Sequence, residues 1–267
     1  MADPESTLDG NVPEAVWRAM LTNPNPWLGM RRLLGRIPSA PRCKFCARPF
    51  GGPGGAVMKA IGLGPWTKNA KYCRGCFRSL RQRHGGAEIE CSLLFADVRG
   101  STALAEQMRP RQFNHLMGRF YDTATDVLVA HDAIVDKFVG DEVVAIFVPS
   151  MAGAGHSRVA VEAALELLRR TGHGGSDEPW VPVGAGVNTG EAYVGSIGEG
   201  PDTELTAMGD AVNTTARLAS AAGAGEVLVT DSAMAGSGMA DGGLEHRSLT
   251  LKGKTETVAV SVLRLTP

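Results

Sequence analysis

The chain has 267 residues, with 27 Lys and Arg against 28 Asp and Glu, and apolar residues make up 43% of it. That apolar share is enough to bury a core and excludes wholesale disorder, while the near-neutral charge excludes nucleic-acid binding through bulk charge. No apolar run reaches the roughly 18–20 residues of a membrane-spanning helix, and the acidic start Met1-Ala2-Asp3-Pro4-Glu5 is unlike a secretion signal. The expectation is a cytoplasmic protein with no transmembrane segment.

Residues 1–40 read as a leader with two short helices, Pro13 to Leu21 and Trp27 to Ile37. The second carries Leu28, Met30, Leu33 and Leu34 beside arginines. Packing against a partner or the next domain suits it better than lying on a membrane surface. Residues 41–86 hold two cysteine pairs around Gly51-Gly52-Pro53-Gly54-Gly55, which cannot be a long helix or a central strand. Gly85-Gly86 reads as a linker.

Residues 87–267 form the third region. The pattern predicts a strand from Glu88 to Asp97, a helix from Ser101 broken at Pro110, and a second helix through Phe113, Leu116, Phe120 and Val127. Two β-branched runs, Ala133–Val139 and Glu142–Val148, flank Gly140-Asp141 as a hairpin. A helix from Val159 to Leu168 follows, then strands Val181–Asn188, Ala192–Ile197 and Glu204–Met208. Helix Asp210–Ala222 precedes strands at Glu226–Thr230, Leu244–Leu251 and Val258–Leu263. This order predicts an α+β, ferredoxin-like (split βαβ) domain whose antiparallel-rich sheet is covered by helices on one face.

Two acids stand where acids are costly. Asp97 closes the apolar run Leu93-Leu94-Phe95-Ala96, and Asp141 sits in the tight hairpin. Alone, each reads as an ordinary turn residue. The split βαβ order brings the first strand beside the hairpin, so the two carboxylates can converge and suit Mg²⁺ or Mn²⁺. Gly100-Ser101-Thr102 opens a helix between them, where free N–H groups favour a triphosphate.

Five ordered motifs carry a resemblance: Phe95-Ala96-Asp97-Val98-Arg99-Gly100-Ser101-Thr102, Lys137-Phe138-Val139-Gly140-Asp141, Gly186-Val187-Asn188-Thr189-Gly190, Gly209-Asp210-Ala211-Val212-Asn213-Thr214-Thr215-Ala216-Arg217-Leu218, and Leu251-Lys252-Gly253-Lys254. Over about residues 88–265 the chain resembles the class III adenylyl and guanylyl cyclases. The resemblance implies that Asp97, Asp141 and the Val98 carbonyl hold two metal ions. It implies that Lys137 and Thr206 read the purine, and that Asn213 and Arg217 position the ribose and stabilise the transition state. Gly100, Ser101, Thr102 and Lys252 would bind phosphates. It further implies a head-to-tail homodimer with two shared sites, the metal aspartates of each coming from one protomer.

Lys137 can only donate and suits adenine N1, although it could also reach guanine O6; the Thr206 hydroxyl can accept from the adenine amino group. ATP is therefore expected over GTP. Threonine departs from the aspartate more frequent at that position in the family, and relatives with threonine include bicarbonate-stimulated cyclases, so the resemblance implies that bicarbonate could stimulate this chain too. A silent cyclase-like binding module is the alternative reading, disfavoured because the metal aspartates and the Asn/Arg pair are all present.

Cys43-Lys44-Phe45-Cys46 and Cys73-Arg74-Gly75-Cys76 form two C-x₂-C pairs with 26 residues between them. They suit a structural four-thiolate Zn²⁺ site, with iron, an iron–sulfur cluster or a redox disulfide as alternatives. No specific nucleic acid is expected, despite the arginines around this module. The module is expected to help position the protomers. Cys91 reads as a buried core residue.

Overall fold

The computed structural model describes residues 12–23, 28–37, 39–67, 69–81, 83–198, 202–250 and 257–265. The leader forms α1 (Glu14–Thr22) and α2 (Leu28–Gly35). The cysteine segment forms α3 (Gly52–Ala60), β1 (Pro65–Trp66), β2 (Asn69–Cys73) and α4 (Arg74–Arg81). The glycine-dense stretch thus opens a helix of only nine residues, with a proline in its first turn.

The remainder runs β3 (Gly85–Val98), α5 (Ser101–Gln107), α6 (Pro110–Ala130), β4 (Ile134–Val139), β5 (Glu142–Phe147), α7 (Pro149–Ala152) and α8 (His156–Arg170). Then come β6 (Val183–Ile197), β7 (Glu204–Met208), α9 (Asp210–Ala221), β8 (Val227–Thr230), α10 (Asp231–Ser237), β9 (Glu245–Leu249) and β10 (Val258–Leu263). The two strands expected between Val181 and Ile197 are one continuous 15-residue strand.

The sheet order is β4-β5-β3-β6-β8-β10-β9, with β7 paired to the far end of β6. Its first four strands pair antiparallel in the split βαβ order, and β8 joins parallel to β6. Both faces are covered, which corrects the expectation of helices on one. Leu94, Ala96 and Val98 of β3 face the core under α6 and α8. Ile89, Cys91, Leu93 and Phe95 face a second core shared with α1, α4 and α9. A strand buried on both sides reads as an unbroken apolar run rather than an alternating one, which is what Leu93-Leu94-Phe95-Ala96 is.

Gly85 and Gly86, expected as a linker, belong to β3 and pair with Ser196 and Gly195. The leader packs on the large sheet. Trp17 and Leu21 are buried in the second core with Tyr72 and Phe77. Arg31 is buried and donates to the carbonyls of Phe45, at 2.7 Å, and Ala133, while Arg32 pairs with Asp132 at 2.9 Å. Arg42 donates to the Leu34 carbonyl at 2.8 Å and to the Gly35 carbonyl at 3.3 Å, adding donors to the free acceptors at the end of α2.

α9 is set by its contact with β6. A Cβ on Gly186 would lie 2.6 Å from the Ala219 nitrogen and the Leu218 Cβ, so the helix docks directly on strand backbone. That accounts for glycine at this place in the Gly186–Gly190 motif.

Candidate active site and cysteine centre

The backbone segments that carry Asp97 and Asp141 meet at one end of the sheet. Asp97 pairs with Glu142 across β3 and β5, and the Val98 N–H donates to the Asp141 carbonyl at 3.2 Å. Gly140 takes φ of 62°, a left-handed conformation that glycine adopts without steric cost, and this tightens the turn carrying Asp141. Asp97 is ion-paired to Arg99 through Oδ2, while its Oδ1 is buried with no partner among the described residues. A buried, unpaired carboxylate oxygen is costly unless a cation claims it, so this donor set fits a hard divalent ion.

Gly100 caps α5 with φ of 68°, and Ser101 and Thr102 open that helix beside the acids. Lys252 lies outside the described residues.

Three neighbours were not picked out from the sequence. Arg99 donates to the Ser220 carbonyl at 2.9 Å, tying the acidic end of β3 to the C-terminus of α9. Its position at a helix C-terminus is electrostatically favourable. Tyr121 donates to the Gly140 carbonyl, and its ring packs 4.6 Å from that of Phe138. Burial, and then the charge of Asp141, raises the Glu142 carboxyl to about 7. Glu142 directly follows Asp141 in the sequence, whereas Tyr121 and Arg99 come near Gly140-Asp141 only through the fold.

The expected purine readers lie elsewhere. Thr206 pairs with Gly195 near the end of β6, whereas Asp97 pairs with Gly184 near its start, 11 positions away. Lys137, on β4, is 44% exposed. The β4–β5 register shifts between Val135 and Lys137, so Asp136 sits in a bulge. Its buried carboxylate accepts from Thr206 Oγ1 at 2.6 Å and from Lys44 Nζ at 2.8 Å. On α9, Ala211, Thr215, Leu218 and Ala219 are buried, Asn213 is exposed and Arg217 is half-buried one turn later. The Asn/Arg pair therefore faces away from its own sheet.

Residues 86–261 match the adenylate and guanylate cyclase catalytic domain. The chain belongs to this family. Adenylate cyclase 1 of Rhizobium meliloti is 31% identical over 134 residues, which cover 48% of this chain and 20% of that protein. The adenylate cyclase of Anabaena cylindrica is 25% identical over 179 residues, covering 63% of this chain and 36% of that protein. The chain thus spans about a fifth and a third of the length of these curated relatives. Among solved structures, the adenylyl cyclase CyaB from P. aeruginosa superposes with a TM-score of 0.57 at 25% identity, covering 67% of this chain and 95% of that one. The guanylyl cyclase Cya2 superposes at 0.60 with 24% identity, covering 68% and 95%, a likeness of fold alone. Among the described residues, no helix is long and apolar enough to cross a membrane.

Alongside the cyclase domain, the four cysteines gather into one cluster. The Sγ atoms of Cys43, Cys46, Cys73 and Cys76 all lie within 4.8 Å of one another, and those of Cys46 and Cys73 are 3.7 Å apart. Tetrahedral Zn–S bonds of about 2.3 Å would separate the sulfurs by about 3.8 Å, so the cage has the size of a tetrathiolate site. Sulfurs this crowded perturb one another: hydrogen bonds from Cys43 first, then Cys46 and Cys76, hold the Cys73 thiol far below the usual range. The Cys73 N–H donates to Cys43 Sγ at 3.2 Å, and Arg48 donates to Cys73 Sγ at 3.2 Å. These donors, with the buried Arg31 guanidinium close to Cys43, Cys46 and Cys76, offset the negative charge such a centre carries. Cys91 is buried in β3, and burial pushes its thiol up to about 12, as befits a core residue.

Proposed function

We propose that the chain is an adenylyl cyclase, converting ATP to 3′,5′-cyclic AMP and pyrophosphate at sites shared by two copies in a homodimer. The observation that carries this is the Val98–Asp141 backbone hydrogen bond, which sets Asp97 and Asp141 side by side at one end of the sheet, with one buried Asp97 carboxylate oxygen left unpaired among the described residues. Asp97, Asp141 and the Val98 carbonyl would hold two Mg²⁺ or Mn²⁺ ions. Bound there, such ions make the ribose 3′-hydroxyl more acidic and neutralise charge on the departing pyrophosphate.

In the reaction the 3′-oxygen forms a bond to the α-phosphorus, the bond from that phosphorus to the β-phosphate oxygen breaks, and the hydroxyl proton is lost. Asn213 orients the ribose, and Arg217 donates to the α-phosphate as charge builds. Lys137 donates to adenine N1, and Thr206 accepts from the adenine amino group. Gly100, Ser101, Thr102 and Lys252 bind the phosphates. The outward-facing Asn213 and Arg217, on a helix that packs its other face on its own sheet, support a site completed by a partner copy. The cysteine cluster holds structural Zn²⁺.

Incubating the purified protein with Mn²⁺ and ATP or GTP, with Asp141→Ala as control, tests the reading. Cyclic AMP that disappears in the variant, at an ATP rate above the GTP rate, is expected. No cyclic nucleotide from a metal-replete dimer would reverse the proposal in favour of a binding module.

A further inference from the structure

We propose that Asp136 and Lys44 are positioning residues for purine selection, with the first cysteine knuckle fixing the Thr206 hydroxyl as a pure acceptor. This rests on the adenylyl cyclase reading above.

The argument begins with the bulge. An extra residue in one strand re-aims a side chain, and Asp136 is the residue added between Val135 and Lys137. Its carboxylate is buried, and each oxygen is engaged. Oδ1 accepts from Lys44 Nζ at 2.8 Å, while Oδ2 accepts from Thr206 Oγ1 at 2.6 Å and lies 3.5 Å from Lys137 Nζ. Both expected purine-reading side chains therefore meet one carboxylate. The cation that neutralises it comes from a different part of the chain, 92 residues away in sequence.

Lys44 stands between Cys43 and Cys46, so the turn that presents two sulfurs also presents this ammonium. The knuckle is tied to β7 as well, through β2. The Lys44 N–H donates to the Lys71 carbonyl at 2.8 Å, and the next residue, Tyr72, accepts at its hydroxyl from the Leu205 N–H at 2.6 Å. Leu205 directly precedes Thr206. The cysteine module thereby holds both β7 and the β4 bulge.

The consequence for chemistry follows from hydrogen-bond polarity. A threonine hydroxyl has one proton to donate and two lone pairs. With its proton committed to an ionised carboxylate, Thr206 can only accept from a ligand. Adenine presents an amino group at the position where guanine presents a carbonyl oxygen. An acceptor-only Thr206 pairs with the first and leaves the second facing a lone pair. Were Asp136 neutralised, or replaced by an amide donating to Thr206, the hydroxyl proton would be free to turn toward a guanine carbonyl. Lys44, with no chance of touching the purine through that carboxylate, would set the selectivity by keeping both oxygens acceptors.

The test compares kcat/KM for ATP and for GTP in the full-length protein and in Lys44→Met, Lys44→Arg and Asp136→Asn. Metal content and dimerisation are measured in each. Lys44→Met and Asp136→Asn are expected to lower the ATP:GTP ratio about tenfold or more, the size of effect a mispaired polar group produces, and Lys44→Arg to retain it. Should Lys44→Met fold poorly, the near-isosteric Asp136→Asn still reads the ratio. An unchanged ratio in Asp136→Asn, with both rates reduced together, would overturn the proposal and leave a structural role only. A parent protein that makes no cyclic nucleotide at all would instead overturn the cyclase reading, and this inference with it.

Discussion

The Val98 amide donates to the Asp141 carbonyl at 3.2 Å, so the two acids flank one backbone hydrogen bond. Backbone, not side chains, therefore sets their separation, and the carboxylates are left to a cation. Asp97→Asn should keep this geometry while removing the charge. Cyclase activity is expected to fall by about 10²–10³ or more. The buried Oδ1 has no partner among the described residues, so the only metal-free contact that Asp97→Asn weakens is the ion pair from Oδ2 to Arg99, and the melting temperature without divalent cations should fall by no more than about 2–4 °C. A much larger drop measured without divalent cations would show that Asp97 is structural.

Mixing inactive Asp97→Ala with inactive Asn213→Ala protein tests the shared site. Asn213 faces away from the sheet that carries Asp97. If each site draws on two protomers, random exchange gives half heterodimers, each with one intact site of two, so about a quarter of parental activity should return. Heterodimers proven by two affinity tags but devoid of activity would place the whole site within one chain.

Much of the fold follows from local pattern. Strands Glu204–Met208 and Val258–Leu263 fall where alternation and β-branching put them. Gly85-Gly86 misleads because glycine marks linkers and close approaches alike. A Cβ on Gly86 would come within 2.6 Å of the Val194 carbonyl oxygen, a contact no sequence displays. α10 was missed although Thr230, whose Oγ1 accepts from the Ala233 N–H at 3.4 Å, heads the Thr-Asp-Ser start that a capping signal provides. In the site, the two aspartates are legible as acids out of place, and the cysteine pairs by their spacing. Asn213 and Arg217 needed the family resemblance. Asp136 was hidden because its meaning lies in partners 92 and 70 residues away.

The leader and cysteine segment should prove inseparable from the catalytic sheet. Phe77 is 2% exposed, stacks on Trp66 at 3.7 Å and shares a core with Ile89 and Trp17. Phe77→Ala is expected to cost about 3–5 kcal/mol, read by denaturant unfolding. Cys73→Ser should abolish the proposed Zn²⁺ binding and lower the melting temperature of the whole chain in a single transition. Two separate transitions, with the catalytic one unmoved, would contradict a shared core.

Acid stability should hinge on Glu226. Arg247 donates to both its oxygens at 2.8 and 2.9 Å, Arg264 adds a bond at 2.5 Å and the Gly223 N–H another at 2.9 Å, pinning the middle of β9 to the start of β8 and the end of β10. The Arg247 hydrogen bonds first, opposed by burial and aided by Gly223 and Arg264, hold its carboxyl at about 2, below the ordinary 4.5. A carboxylate depressed in the folded state contributes fully above its unfolded value and progressively less as the pH falls through the folded one. Its contribution is therefore complete above pH 4.5 and disappears between there and about 2. Glu226→Gln should be less stable than the parent at neutral pH and converge with it toward pH 2, measured by urea midpoints across the range. A stability difference that stays constant with pH would mean that Glu226 acts by packing, with its charge contributing nothing.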